Sequence, residues 1–205
     1  MKTNLRILAL LCGLLFVATA AASTPDLASA LVRNTSEKML EALEARRSEL
    51  ENQPSLVFDL VENIVVPNFD FERITRFAMG RYWRSADKTQ QDALIEEFKQ
   101  MLVRTYAKAL LNYSGQQIEY LPLRPGNREG QVTVRTAVSE AGGPTIPIDY
   151  QLYLKDGAWK VYDVAIDGVS LVANYRSSFA AEIRRKGVDG LIATLRERNQ
   201  GGKSS

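Results

Sequence analysis

Apolar positions along this chain change their period several times, and each change marks a boundary in the architecture. Ile7 to Ala18 form an almost unbroken apolar run behind the cations Lys2 and Arg6. Ala20 and Ala22 follow at the A-x-A spacing that a signal peptidase requires. The run is too short to cross a bilayer comfortably and has the order of a secretory leader, so residues 1–22 are expected to be removed after Ala22. Leu27, Leu31, Thr35, Met39, Ala42 and Leu43 then recur at helical spacing, which predicts an amphipathic helix over 24–51. Pro54 suits the first turn of a second helix running to about Val66, because proline there forfeits no hydrogen bond. Pro67-Asn68 interrupts it. Asp70 is a suitable N-cap for a short helix over 71–79 carrying Ile74, Phe77 and Ala78, with Gly80 as its end. Over 87–113, Leu94, Phe98, Met101, Leu102, Tyr106, Ala109, Leu110 and Tyr113 make one continuous stripe opposite Glu96, Lys99 and Gln100, closed by Ser114-Gly115.

The period then drops to two. Val132, Val134, Thr136 and Val138 alternate with polar neighbours, as do Ile146, Ile148, Tyr150, Leu152 and Leu154. Asp156-Gly157 is a strong hairpin signal, since both turn positions require positive φ, and it joins a strand over 145–155 to one over 158–166. Gly142-Gly143 supplies a further turn, and 117–123 a first strand. These make an antiparallel meander of at least four strands with one oily face. After Gly168 the helical period returns through Leu171, Val172, Tyr175, Phe179 and Ile183, ending at Gly187, and Asp189 is placed to cap a last helix over 190–198. The expected fold is therefore α+β, with several helices covering one face of a twisted antiparallel sheet. Residues 23–200 form a single domain and 201–205 a disordered tail.

Composition removes whole classes of chemistry. The chain of 205 residues has 26 Lys+Arg against 24 Asp+Glu, and loss of the leader removes two of the cations. The balance near zero offers no basic excess for nucleic acid. Histidine is absent, which excludes Ser-His-Asp and Cys-His machinery and any His-ligated metal. The only cysteine, Cys12, lies in the leader behind Leu11, where a lipoprotein site needs a small residue, so neither a disulfide nor a lipid anchor is expected. Asp149 and Asp163 on adjacent strands, with Asp167 nearby, are the available acid–base candidates. They equally suit ion-paired or solvated sheet positions, and nothing in the spacing fixes the carboxylate pair that glycoside hydrolysis requires. Arg81-Tyr82-Trp83-Arg84 fits a basic surface for nucleic acid or a membrane. It fits as well a short turn that packs Tyr82 and Trp83 inward.

Several stretches together resemble the MlaC family of toluene-tolerance proteins. They are Pro67-Asn68-Phe69-Asp70-Phe71 running on to Gly80-Arg81-Tyr82-Trp83-Arg84; Phe98, Leu102, Tyr106 and Leu110 on the long helix; and Trp159-Lys160-Val161-Tyr162-Asp163-Val164. Gly168-Val169-Ser170-Leu171, Tyr175-Arg176-Ser177-Ser178-Phe179 and Gly187-Val188-Asp189-Gly190-Leu191 complete the set. The resemblance implies a nuclear-transport-factor-like cone with an apolar cavity, holding phospholipid as cargo, with no cofactor and no active site. It implies a periplasmic carrier docking on an outer-membrane lipoprotein–porin complex and on an inner-membrane ABC transporter complex with its substrate-binding-type membrane subunit. On that reading, Phe98, Leu102, Tyr106, Leu110, Ile148, Tyr150, Leu152, Val164, Leu171 and Tyr175 line the acyl-chain site, although each also fits ordinary core. Arg81, Arg84 and Arg176 meet a headgroup or a partner. Two other classes stay open: an enzyme using Asp149 and Asp163, and a periplasmic protein-binding or chaperone module with a filled core and no lipid.

Overall fold

A computed structural model describes residues 24–139 and 143–201. The expected leader with Cys12, the start of the Gly142-Gly143 turn and residues 202–205 of the expected tail lie outside the described residues. The helices are α1 (Pro25–Ala45), α2 (Arg47–Asn52), α3 (Leu56–Ile64), α4 (Phe71–Met79), α5 (Lys88–Leu110) and α6 (Leu171–Gly201). The strands are β1 (Gln117–Pro125), β2 (Gln131–Ser139), β3 (Ile146–Lys155), β4 (Ala158–Ile166) and the two-residue β5 (Val169–Ser170). They form one antiparallel sheet in sequential order, β1-β2-β3-β4-β5. The α+β expectation holds, with a short fifth strand added to the meander.

Local signals account for most boundaries. Asp70 caps α4 by accepting a hydrogen bond from the Arg73 amide at 3.0 Å, and Gly80, with φ +54°, ends that helix. Asp87 and Gln90 form a reciprocal capping box at the start of α5. Asp156 (φ 51°) and Gly157 (φ 81°) turn the β3–β4 hairpin as the sequence requires.

Several boundaries differ from expectation, among them the start of α3 at Leu56, which leaves Pro54 in the preceding turn and not in the first turn of the helix. The predicted helix over 24–51 breaks at Arg46 (φ −113°, ψ 19°), inside the stretch 44–49 where no side chain is buried. Helices hold in proteins mainly through a packed face, and that stretch has none. The helix over 87–113 ends at Leu110, and successive i→i+3 bonds from Leu111, Asn112 and Tyr113 tighten the exit before Ser114-Gly115 is reached. Asp189 does not cap the last helix. The chain leaves helical geometry only at Gly187 (φ 73°, ψ −179°), so Asp189 lies inside the resumed arm, where it accepts from Gln90 at 2.7 Å. Gly201, expected in the tail, ends the helix instead. The two arms of α6 fold back on one another, as the 3.0 Å bond from the Thr194 hydroxyl to Glu182 requires.

Register lays the apolar side chains of the sheet in rows across the strands. Tyr120, Thr136, Ile148 and Ile166 pair successively; so do Val134, Tyr150 and Val164, and Val132, Leu152 and Val161. A bulge near Tyr162 keeps both Val161 and Val164 on this face. The Trp159 indole donates to the Thr24 carbonyl and fastens the start of α1 to the sheet.

Candidate functional site

Among the described residues, buried apolar side chains gather in three clusters, with the partly buried Phe69 packed against both the first and the third. The first joins α4, α5 and both arms of α6 through Ile74, Met79, Leu94, Phe98, Met101, Phe179, Ile183 and Leu195. The second joins α1, α2, α3 and the end of α5 through Met39, Leu43, Leu50, Val57, Val103 and Ala107. The third sets Ala28 and Val32 of α1 on Val132, Val134, Leu152, Trp159 and Val161 of the sheet. A domain of this size ordinarily has one contiguous core. Here α5 packs on α6, α3 and α4, while the sheet meets the helical layer chiefly through α1, α4 and α6. The long helix α5 and the sheet face thus lack an extensive direct contact.

The residues that the sequence nominates as an acyl-chain wall divide along this line. Phe98 is fully buried, edge-on to Tyr175 (centroids 5.0 Å apart) and Phe179 (4.8 Å), and Leu152 is fully buried in the third cluster. Packing alone accounts for both. Leu102 and Tyr175 flank the first cluster, Leu110 the second, and Tyr150 and Val164 the third. Tyr106, Ile148 and Leu171 are half-buried outside all three. All eight keep part of their surface open although they belong to apolar stripes. Beyond them the apolar face runs into the exposed side chains of Ile146 and Val169.

Two tyrosines report dry surroundings. Burial pushes the Tyr150 hydroxyl up to about 12, with Tyr120 adding to the shift and the Thr136 hydroxyl opposing it. Burial likewise pushes Tyr175 up to about 12, with Tyr106 adding through charge and a hydrogen bond and Arg198 opposing. Thr136, buried within the apolar rows, satisfies its hydroxyl by donating to the Ile148 carbonyl at 3.0 Å.

Basic residues line two clefts in the helical layer. The first, about 420 Å³, is bounded by Arg76, Phe77, Gly80, Trp83, Arg84 and Arg176. A Cβ at Gly80 would meet Arg176 Nε at 3.0 Å, so glycine there both takes the positive φ and admits the guanidinium. The structure therefore brings Arg84 and Arg176 together. Arg81 instead donates to the Tyr82 hydroxyl at 2.9 Å, while Tyr82 and Trp83 pack inward against the first cluster. The second cleft, about 340 Å³, lies between α3, α5 and α6 and is bounded by Phe58, Met101, Arg104, Thr105, Lys108, Tyr175, Arg198 and Asn199. Sequence reading did not nominate it. Met101, Arg104, Thr105 and Lys108 do share one face of α5 by spacing, but Phe58 and Arg198 arrive only through the fold.

The carboxylates are engaged structurally. Asp163 accepts from the Ser170 hydroxyl at 2.5 Å, the Val172 amide at 3.1 Å and Gln151 at 3.2 Å, which ties the start of α6 to the sheet. Asp149 faces Arg135 at 3.7 Å. Asp70 does more than cap α4. Its carboxylate also accepts from the Tyr153 hydroxyl and from Lys155 at 2.8 Å, both on β3, while Arg73 stacks 3.7 Å from the Tyr153 ring centre and 4.7 Å from that of Tyr162. Burial works to raise the Asp70 pKa, but the hydrogen bonds from Lys155, Tyr153 and the Arg73 amide outweigh it and leave the pKa below its ordinary value.

Comparisons with known proteins agree over nearly the whole described chain. The family model described as MlaC protein matches residues 33–197. The intermembrane phospholipid transport system binding protein MlaC of Haemophilus influenzae is 25% identical over 170 residues, covering 82% of this chain and 79% of that one. Toluene tolerance protein ttg2D of Pseudomonas putida is 30% identical over 172 residues, covering 83% and 78%. The solved structure of a phospholipid-binding protein from Ralstonia solanacearum, in complex with a phospholipid, aligns with a TM-score of 0.79 at 36% identity, over 86% of this chain and 99% of that one.

Proposed function

Because the chain belongs to the MlaC family, we propose that it carries phospholipid between membranes. The observation that carries this reading is the likeness, at 36% identity and TM-score 0.79, to a protein solved with phospholipid bound. The half-buried apolar strip between α5 and the sheet supports it. A diacyl lipid exposes on the order of 30 methylenes at ~0.8 kcal/mol each, so roughly 25 kcal/mol opposes its release into water. A carrier must replace the bilayer around the chains for as long as the lipid is away from it.

In this reading Leu102, Tyr106 and Leu110 form the helical side of the acyl-chain wall, and Ile148, Tyr150 and Val164 form the sheet side. Leu171 and Tyr175 join the two, with Phe98 and Leu152 as packed backing. Residues 1–22 direct the chain to the periplasm, residues 23–200 work as one domain, and no cofactor is needed, since carriage makes and breaks no bond. Among the described residues no helix is long and apolar enough to cross a membrane, in keeping with a carrier that leaves the bilayer. The carrier exchanges cargo at an outer-membrane lipoprotein–porin complex and an inner-membrane ABC transporter complex. Arg84 and Arg176 in the first cleft, with Arg81 beside it, offer cations to those partners.

Native mass spectrometry of the protein purified from periplasm without detergent tests the reading. Discrete added masses matching phospholipids, released by organic solvent, are the expected result. A bare polypeptide mass that stays unchanged after incubation with lipid vesicles would favour the protein-binding or chaperone module instead.

A further inference from the structure

The first cleft lies apart from the acyl-chain wall. No wall residue bounds it, and its own residues come from α4, the turn Gly80–Ser85 and the first turns of α6. Arg76, Arg84 and Arg176 stand exposed around it, and among the described residues none of the three has a carboxylate at ion-pair distance. The residues bounding the cleft include no acidic side chain. Neighbouring arginines differ in this respect. Arg73 is held among the rings of Phe77, Tyr153 and Tyr162, and Arg81 donates to the Tyr82 hydroxyl. Like charges drawn together with no counter-charge cost free energy unless an anion joins them.

The aromatic side of the cleft is fixed from behind. Phe77 packs edge-on to Tyr162 with centroids 5.9 Å apart, and the Trp83 carbonyl accepts from Gln91 at 3.1 Å. Both rings are half-buried, so each keeps surface for a further contact. Side chains ordered in advance lose little entropy on binding, and tryptophan and arginine carry much of the energy at protein interfaces.

Two features favour a protein segment over a lipid surface. The cations border a concavity of about 420 Å³, which a peptide can enter and a flat bilayer cannot. The full chain has a formal net charge of only +2, too little to draw it broadly to anionic membranes. Guanidinium forks pair with carboxylates through charge-assisted hydrogen bonds, and the rings beside them suit an apolar side chain next in the segment.

We propose that this cleft docks an acidic segment of a partner protein, with carboxylates on Arg76, Arg84 and Arg176 and a neighbouring apolar side chain on Phe77 and Trp83. This rests on the carrier reading, which requires such partners.

The test measures binding of the intact protein to each of the two membrane complexes, held in phosphatidylcholine nanodiscs, by biolayer interferometry. The combined variant Arg76→Gln, Arg84→Gln, Arg176→Gln, confirmed folded by circular dichroism, is expected to bind at least one complex about tenfold more weakly. Native mass spectrometry should find its lipid content unchanged. Wild-type binding should weaken as NaCl rises from about 0.05 to about 0.5 M, and that of the triple variant much less. A second combined variant, Arg76→Lys, Arg84→Lys, Arg176→Lys, keeps the charges and supplies amines. Carbodiimide should then join these lysines to Asp or Glu side chains of the partner, read by mass spectrometry of the linked peptides. Unchanged affinity of the Gln variant for both complexes would overturn the proposal, as would links to the partner from other lysines alone. A Gln variant that loses binding only to phosphatidylglycerol vesicles would assign the cleft to a membrane surface and overturn it too. Wild-type protein that holds lipid but binds neither complex sinks the docking proposal, whereas wild-type protein that takes up no lipid sinks the carrier reading beneath it.

Discussion

Phe98 on α5 and Tyr150 on β3 are both large aromatic residues on the apolar face of a regular element. Phe98 is fully buried, held edge-on by Tyr175 and Phe179, whereas Tyr150 is only partly covered while its hydroxyl sits in dry surroundings. The helical layer closes its core with its own side chains. The sheet closes its core where α1 lies on Val132, Val134, Leu152, Trp159 and Val161, while Ile148, Tyr150 and Val164 are only partly covered. The same residue types are therefore fully packed in one region and only partly covered in the other.

The contrast can be broken by substitution. Phe98→Ala should lose about 3–5 kcal/mol of folding stability in urea unfolding, because a close-packed cluster cannot collapse onto the vacated ring. A loss under about 1 kcal/mol would show that the helical layer is as loosely filled as the sheet face. Gly187→Ala should cost about 1–3 kcal/mol by the same measurement, since φ 73° with ψ −179° is a conformation that side chains resist and the fold of α6 depends on it. A neutral result there would mean that the arms re-pack without the glycine.

Asp70 ties the helical layer to β3, and Asp70→Asn should cost about 1.5–3 kcal/mol at neutral pH, the range for hydrogen bonds to a charged group. Because its pKa is lowered on folding, the ionised form's contribution is complete above the ordinary value of 3.8 and is lost as pH falls through the lower folded value. Stability measured from neutral pH down to about pH 2 should thus decline less steeply in the Asn variant than in wild type. Parallel curves would remove Asp70 from the acid response.

Leu102→Trp sharpens the contrast from the other side. Placed in half-open space, the larger ring should change stability by less than about 1 kcal/mol, below the usual cost of overpacking, while reducing extractable lipid at least about tenfold. Normal lipid uptake by a folded Leu102→Trp protein would take this residue out of the acyl-chain wall. The smallest effect is spectroscopic. Of the eight tyrosines, Tyr150 and Tyr175 should ionise last as alkaline titration is followed by phenolate absorbance, near 12 rather than 10. Their replacement by Phe should remove the late phase.

Much of the secondary structure is legible in the residues because the signals are local. The Asp70 cap, the Asp156-Gly157 turn and the two-residue period of β3 each arise within a few positions and appear where expected. The break at Arg46 is less visible, since the local pattern over 44–49 still permits a helix and only missing tertiary contact ends it. Of the candidate wall, the apolar phase of each element is readable, but periodicity reports only that a face turns away from water. Whether the face is closed completely, as at Phe98, or only partly, as at Tyr150, depends on how the helices sit over the sheet.

By itself, then, the sequence determined the alternation of elements, the oily face of the sheet, the want of histidine chemistry and the family likeness, because each is written in residue type and short spacing. Tertiary structure decided the rest. It brought Arg104 and Lys108 of α5 to Arg198 of α6, and it separated the apolar stripe of α5 from the sheet face that its composition would have matched. Both depend on the packing angles of helices distant in sequence. Those angles are set by the sum of many weak apolar contacts, which no short stretch of residues records.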